Sequence, residues 1–187
     1  MPFTFSECDI PGLVVIEPRV FPDSRGFFME SFKESDFLKA GIDIRFVQDN
    51  HSVSSKNVVR GLHFQKPPAA QAKLVRVVRG VVWDVAVDLR TGSPTFGRWF
   101  GIELSETNRR MFYIPAGFGH GFIALVDDTH LLYKCSAEYS PADDGGVRWD
   151  DPDIGIKWPV ENPLVSEKDA LLPRLSAVRA FLPSDWR

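Results

Sequence analysis

Residues 79–94 read R-G-V-V-W-D-V-A-V-D-L-R-T-G-S-P, a β-branched run closed at both ends by turn sequences. Counting by two puts Trp83, Val85 and Val87 on one face and Asp84 and Asp88 on the other. The same punctuation recurs outward. On the N-terminal side, Ala72 to Val78 aligns Lys73 with Val75 and Val77, an unusual company for a lysine on a solvated face. On the C-terminal side, Phe96 to Leu104 and Met111 to Ile114 read as strands, and Ser105 to Asn108 as a turn. Pro115-Ala116-Gly117-Phe118-Gly119-His120 reads as a breaker-rich loop. Gly121 to Val126 and His130 to Ala137 read as a hairpin around Asp127-Asp128, with Leu131, Tyr133 and Cys135 sharing a face.

Nearer the N-terminus, Leu13 to Val20 is a strand interrupted by Pro18, and Pro22 to Gly26 is a turn. Phe27 to Phe32 returns as a strand, and Glu34 to Ala40 is a short helix ended by Gly41. Ile44 to Val53 alternates, with Gln48 and Asn50 opposite Val47 and Asp49. Beyond Pro141 prolines recur at 152, 159, 163, 173 and 183, with one short helix expected near Ser166. Many short strands and little helix predict an all-β sandwich or closed barrel. The expected organisation is a single domain, with a core over about 13–140 and a short, partly helical C-terminal extension over about 141–187.

With 187 residues, 44% hydrophobic and 25% charged, the chain is long enough to bury a core of its own. A net charge of -3 supplies no broad basic field, which argues against nucleic acid as the partner but leaves room for a local basic pocket. Cys8 and Cys135 form no C-x-x-C pair and read as free thiols of a reducing cytoplasm. M-P-F-T-F-S-E-C-D is no secretion signal, and no apolar run is long enough to span a bilayer. A cytoplasmic protein with no membrane partner is expected.

Chemistry first shows in Val58 to Gln65, V-V-R-G-L-H-F-Q, where Arg60 and His63 interrupt an apolar strand. Histidine exchanges protons near neutral pH without extreme tuning. Strict alternation puts Arg60 and His63 on opposite faces, and a bulge at Gly61 would bring them to one side. Pro115-x-Gly117-x-x-His120 resembles the second motif of cupins, the small jelly-roll barrels, and a cupin-like jelly roll is the fold it implies. Cupins that hold a metal use an H-x-H pair followed by a glutamate. Here His63-Phe64-Gln65 stands in that place, and four histidines are a thin ligand supply, so neither metal nor other cofactor is expected.

The chemistry that remains is organic acid–base work or binding alone. Proton abstraction beside a carbonyl needs a base, an acid and a positive group at the enolate oxygen. His63, Tyr133 and Lys73 are the candidates. Each has a plainer reading, Tyr133 as a core tyrosine and Lys73 as a snorkelling lysine, and only their coincidence on inward faces favours a site. The carboxylate orienting His63 is either Asp169 or Asp84. Ser166-Glu167-Lys168-Asp169 also fits a capping box, which would leave Asp169 a purely structural task.

V-F-P-D-S-R-G-F-F-M-E-S-F (20–32), F-V-Q-D-N-H-S (46–52), V-V-R-G-L-H-F-Q, A-K-L-V-R, D-V-A-V-D-L-R, I-P-A-G-F-G-H-G-F, L-L-Y-K-C and D-D-G-G-V-R-W-D-D-P follow one another in colinear order. Together they closely resemble the dTDP-4-dehydrorhamnose 3,5-epimerase family over nearly the whole chain. The resemblance implies cofactor-free inversion at C3 and C5 of a dTDP-linked 4-keto-6-deoxyhexose. It implies His63 as base, Tyr133 as acid on the opposite face, Lys73 at the enolate oxygen and Asp169 orienting His63. Arg60 and His120 match positions that contact substrate. Arg25, Glu30, Gln48, Asn50 and Lys168 match substrate- or nucleotide-contacting positions, some serving the neighbouring subunit's site, and Tyr139 matches the aromatic that stacks on thymine. A homodimer is implied as well. Asp144 stands where the family pattern has a glutamate, and Gly119 where it more often has an alanine. A relative that epimerises one carbon only, and a sugar-nucleotide-binding cupin without activity, are the alternative readings.

Overall fold

The structure, a computed structural model, describes residues 2–179, 182–183 and 185–186. In chain order its elements are β1 (Phe3–Glu7), β2 (Val14–Pro18), β3 (Val20–Asp23), β4 (Gly26–Met29), α1 (Glu34–Lys39), β5 (Gln48–Ser54) and β6 (Val58–Gln65). Then follow β7 (Lys73–Arg79), β8 (Val81–Asp88), β9 (Trp99–Ser105), β10 (Met111–Ile114), β11 (Phe118–Ala124) and β12 (Thr129–Cys135). The chain ends through β13 (Asp144–Gly146), β14 (Leu164–Val165), α2 (Glu167–Ala170) and α3 (Leu175–Val178). Two antiparallel sheets carry the fold, ordered β1-β2-β10-β7-β12-β5 and β13-β6-β11-β8-β9. They form a jelly-roll barrel of the cupin type, and among the described residues β3 and β4 pair only with each other.

Between the sheets lies a core that includes Val75, Val77, Val82, Ala86, Phe112, Phe122 and Leu131. The second sheet is covered on its outer face as well, where Val85, Val87 and Leu89 pack with Val147, Ile154 and Leu175 of the C-terminal residues. Burial on both faces explains why β8 reads as a nearly continuous apolar run. Outside the first sheet, Ile16, Leu74 and Met111 pack with Phe37 of α1 and Ile42.

Several strands depart from the sequence expectation. The hairpin expected around Asp127-Asp128 does not form. β11 pairs with β6 and β8, whereas β12 pairs with β5 and β7. Asp128, at φ 53°, sits at a corner where the chain crosses from one sheet to the other. Ile44 and Phe46 leave the expected strand to pack against the α1 cluster, so β5 begins only at Gln48. Phe118 to His120, read as loop, is already strand. β9 starts at Trp99 because residues before it are held in turns, with Ser93 and Thr95 hydroxyls donating to Asp88. β1 was not foreseen.

β6 carries the bulge. His63 pairs with His120 and Arg60 with Phe122, so three steps along β6 match two along β11. Gly61 makes this feasible. Its φ is +132°, and a Cβ there would lie 2.5 Å from the Gly121 Cα. The bulge turns Arg60 and His63 toward the same space.

Candidate active site

At one end of the barrel two adjoining cavities, about 390 and 280 Å³, share His63, Lys73, Tyr133 and Lys168. Gln48, Asn50, Tyr139 and Asp144 line the first, and Arg60, His120 and Asp169 the second. His63 projects from β6 of one sheet, while Lys73 and Tyr133 project from β7 and β12 of the other. A groove of about 940 Å³ elsewhere, at Arg45, Arg90 and Tyr113, contains none of these groups.

His63 Nε2 lies 2.7 Å from Asp169 Oδ1. The other carboxylate oxygen, Oδ2, accepts the Gly61 backbone N–H at 3.2 Å. These two contacts orient the carboxylate, and through it the imidazole. His63 Nδ1 has no hydrogen-bond partner among the described residues and is the nitrogen left for the cavity. The capping reading of Asp169 holds for its backbone alone: Ser166 Oγ accepts the Asp169 N–H at 3.1 Å, and the side chain remains free for His63. Burial pushes the Asp169 carboxyl up, but the His63 hydrogen bond and charge, the Gly61 amide and Lys168 outweigh it and hold it below the usual range. Asp84 is occupied elsewhere. Both its oxygens lie against His120 Nε2, at 2.9 and 3.0 Å, inside the barrel.

Tyr133 faces the cavities with its hydroxyl unpartnered among the described residues. Burial raises its pKa, the nearby Cys135 adds to the rise and Arg60 opposes it, so the phenol keeps its proton at neutral pH. Burial lowers the pKa of Lys73, against the pull of Cys135, Asp144 and Asp84. Neither Lys73 nor Arg60 forms an ion pair among the described residues. Arg60 Nε donates to Ser54 Oγ at 3.1 Å. The cavity therefore offers a guanidinium and an amine without fixed counter-charges, suited to a substrate that is anionic and becomes more so during reaction.

The residues lining the first cavity are braced by contacts the sequence did not reveal. Gln48 Oε1 accepts the Tyr139 N–H at 2.8 Å, and Gln65 Oε1 accepts the Ser140 N–H at 2.9 Å. Together they hold the loop that carries the exposed Tyr139 ring. Lys168 Nζ donates to Asp144 Oδ2 at 2.7 Å, which raises the lysine pKa. The shorter aspartate at 144 thus still reaches the lysine. Gln65, Gln71, Ser52 and Ser166 line the cavities and were missed. Gln65 was the most readable of them, two residues beyond His63 on the same strand.

Arg25 and Glu30 line neither cavity. Arg25 sits at the exposed β3–β4 turn, where its guanidinium donates to Asp23 at 2.6 Å. Every other predicted site residue is at the cavities. Among the described residues no group of three or more His, Cys, Asp or Glu side chains is placed to hold a metal ion.

Fold and site define a jelly-roll barrel with an acid–base constellation spanning its two sheets. The dTDP-4-dehydrorhamnose 3,5-epimerase family model matches residues 7–177. The epimerase of that name from Methanothermobacter thermautotrophicus is 53% identical over 170 residues, covering 89% of this chain and 91% of that one. A solved dTDP-6-deoxy-D-glucose-3,5-epimerase of Legionella pneumophila, in complex with dTDP-4-keto-L-rhamnose, is 44% identical, covers 99% of both chains and superposes with a TM-score of 0.94. A 3'-monoepimerase from Streptomyces bikiniensis, in complex with dTDP-quinovose, is 39% identical with a TM-score of 0.88, covering 93% of this chain and 89% of that one. The chain belongs to the dTDP-4-dehydrorhamnose 3,5-epimerase family.

Proposed function

We infer that the protein converts dTDP-4-dehydro-6-deoxy-D-glucose to dTDP-4-dehydro-L-rhamnose by inverting C3 and C5, in dTDP-L-rhamnose biosynthesis. One observation supports this above the rest: an aspartate-held imidazole on one sheet faces the phenol of Tyr133 and the half-buried amine of Lys73 on the other. Both carbons flank the C4 ketone, so loss of either proton gives the same kind of enolate. His63 takes the proton, and the Asp169 carboxylate stabilises the resulting imidazolium. Lys73 stabilises the negative charge gathering on O4. Tyr133 returns a proton from the opposite side, which inverts the carbon. The chemistry needs no cofactor. Arg60 and His120 hold the sugar, Tyr139 stacks on the thymine, and Lys168, Asp144, Gln48 and Asn50 surround the nucleotide half.

A homodimer completes the site in this reading. Phe21, Phe27 and Phe28 of the β3–β4 hairpin are exposed, as are Val53 of β5, an open sheet edge bearing Gln48 and Asn50, and Val47 just before it. Unpaired edges and exposed aromatic rings of this kind invite pairing with a second chain. A second copy's hairpin set along β5 brings Arg25 and Glu30 to the cavity. The whole chain then acts as one epimerase domain. Its sugar-nucleotide substrate and unbridged Cys8 and Cys135 support a cytoplasmic enzyme in this reading.

The test is product identity: incubation with dTDP-4-keto-6-deoxyglucose, trapping by a 4-reductase with NADPH, and analysis of the sugar. dTDP-L-rhamnose is expected. A product inverted at one carbon would make the protein a monoepimerase, and unchanged sugar would reduce it to a binding module.

A further inference from the structure

The barrel contains a second histidine–aspartate pair, whose aspartate has no part in the steps above. Asp84 is fully buried and His120 is 6% exposed. Asp84 lies on β8 among Val82, Ala86 and Phe122, deep in the core, and both its oxygens lie within 3.0 Å of the same ring nitrogen, His120 Nε2. His120 is the cross-strand neighbour of His63 and lines the same cavity. Its Nδ1 has no hydrogen-bond partner among the described residues.

A carboxylate buried among apolar side chains is costly unless its charge is balanced. The pair achieves balance when it holds two protons in all. One is shared between Asp84 and Nε2, and the other must then sit on Nδ1, whichever atom owns the shared one. Burial also pushes the Asp84 carboxyl up, with the charge and hydrogen bond of His120 and the charge of Lys73 pulling the other way. The first pair differs on each count: His63 is far more exposed, and Asp169 is held by a backbone N–H.

We propose that Asp84 is a positioning residue, which through the shared proton keeps His120 Nδ1 protonated as a hydrogen-bond donor to an oxygen of the bound keto sugar. It rests on the epimerase reading. The two pairs then divide the work: His63 presents a bare nitrogen as base, and His120 presents an N–H that holds the sugar against it.

The two pairs respond oppositely to the same substitution. In Asp84→Asn the amide can donate to Nε2, which leaves the proton on Nδ1. In Asp84→Leu nothing holds the ring. The experiment measures kcat and KM for the keto sugar and the affinity for dTDP in both variants, and the ring ¹⁵N shifts of His120 in the unaltered protein. Expected are a kcat/KM for Asp84→Asn at least tenfold above that of Asp84→Leu, dTDP affinity equal in both, and a protonated Nδ1 signal. Equal loss in both variants, equal retention, or an unprotonated Nδ1 overturns the proposal. The ¹⁵N reading stands even if a variant fails to fold. If the unaltered protein does not epimerise, the epimerase reading fails separately, while the ¹⁵N shifts still judge where the proton lies.

Discussion

Replacing Asp169 by asparagine removes one charge and no volume, yet the geometry predicts a severe loss. The Gly61 N–H donates to Oδ2 and needs an oxygen there. The amide must therefore turn its oxygen to Gly61 and its NH₂ toward His63 Nε2. Nε2 becomes an acceptor, the ring proton moves to Nδ1, and the nitrogen facing the cavity can no longer act as base. The lost charge-assisted hydrogen bond alone is worth about 1.5–3 kcal/mol, roughly 10- to 150-fold in rate. The tautomer change adds to that, and the corresponding exchange in a serine-protease triad costs about 10⁴-fold. A loss in kcat between roughly 10² and 10⁴ is expected, at both carbons alike, with dTDP affinity unchanged. Deuterium incorporation at C3 and C5, followed by proton NMR, measures it. A variant within threefold of the parent would show that Asp169 does not orient the base.

Other perturbations probe the surroundings. Tyr133→Phe removes the returning acid and should slow net epimerisation more than proton loss, read as exchange outpacing product formation; equal slowing would count against a separate acid. Gly61→Ala forces a Cβ to 2.5 Å from the Gly121 Cα at a φ of +132°, and should cost about 3 kcal/mol or more by urea unfolding while displacing His63. Burial pushes the Asp88 carboxyl up, but the hydrogen bonds from Arg90, Ser93 and Thr95 prevail and hold it below 3.8. Its stabilising effect is thus full above about pH 3.8 and lost as pH falls through the lower folded-state value. Asp88→Asn should therefore lower stability at neutral pH and flatten the acid decline; an unchanged decline would point to other carboxylates. Phe28→Glu on the hairpin should yield folded monomer by light scattering with poor activity, and a persisting dimer would place the interface elsewhere.

The strand content was plain from alternation and turn residues, because β8 and its neighbours are short and sharply bounded. Which sheet each strand joins was not. A tight turn and a corner between sheets use the same residues, so Asp127-Asp128 was misread as a hairpin. β1 was readable, since F-T-F alternates from Phe3 to Phe5, but its five residues lie in a polar stretch. The inward placement of His63, Lys73 and Tyr133 followed from period-two counting, and the Gly61 bulge supplied the one needed break in register. The partner of His63 was beyond local reading. Asp169 lies far along the chain and arrives because β14 pairs Leu164 with Val58, setting α2 beside β6. Asp84 stands closer in sequence, yet its face points into the barrel core toward His120.

Proton exchange beside the C4 ketone is the decisive property. In deuterium oxide, the unaltered protein should erase the C3 and C5 proton signals of dTDP-4-keto-6-deoxyglucose, and His63→Asn should erase neither. Retention of both signals by the unaltered protein, or exchange that survives His63→Asn, would contradict the proposed mechanism.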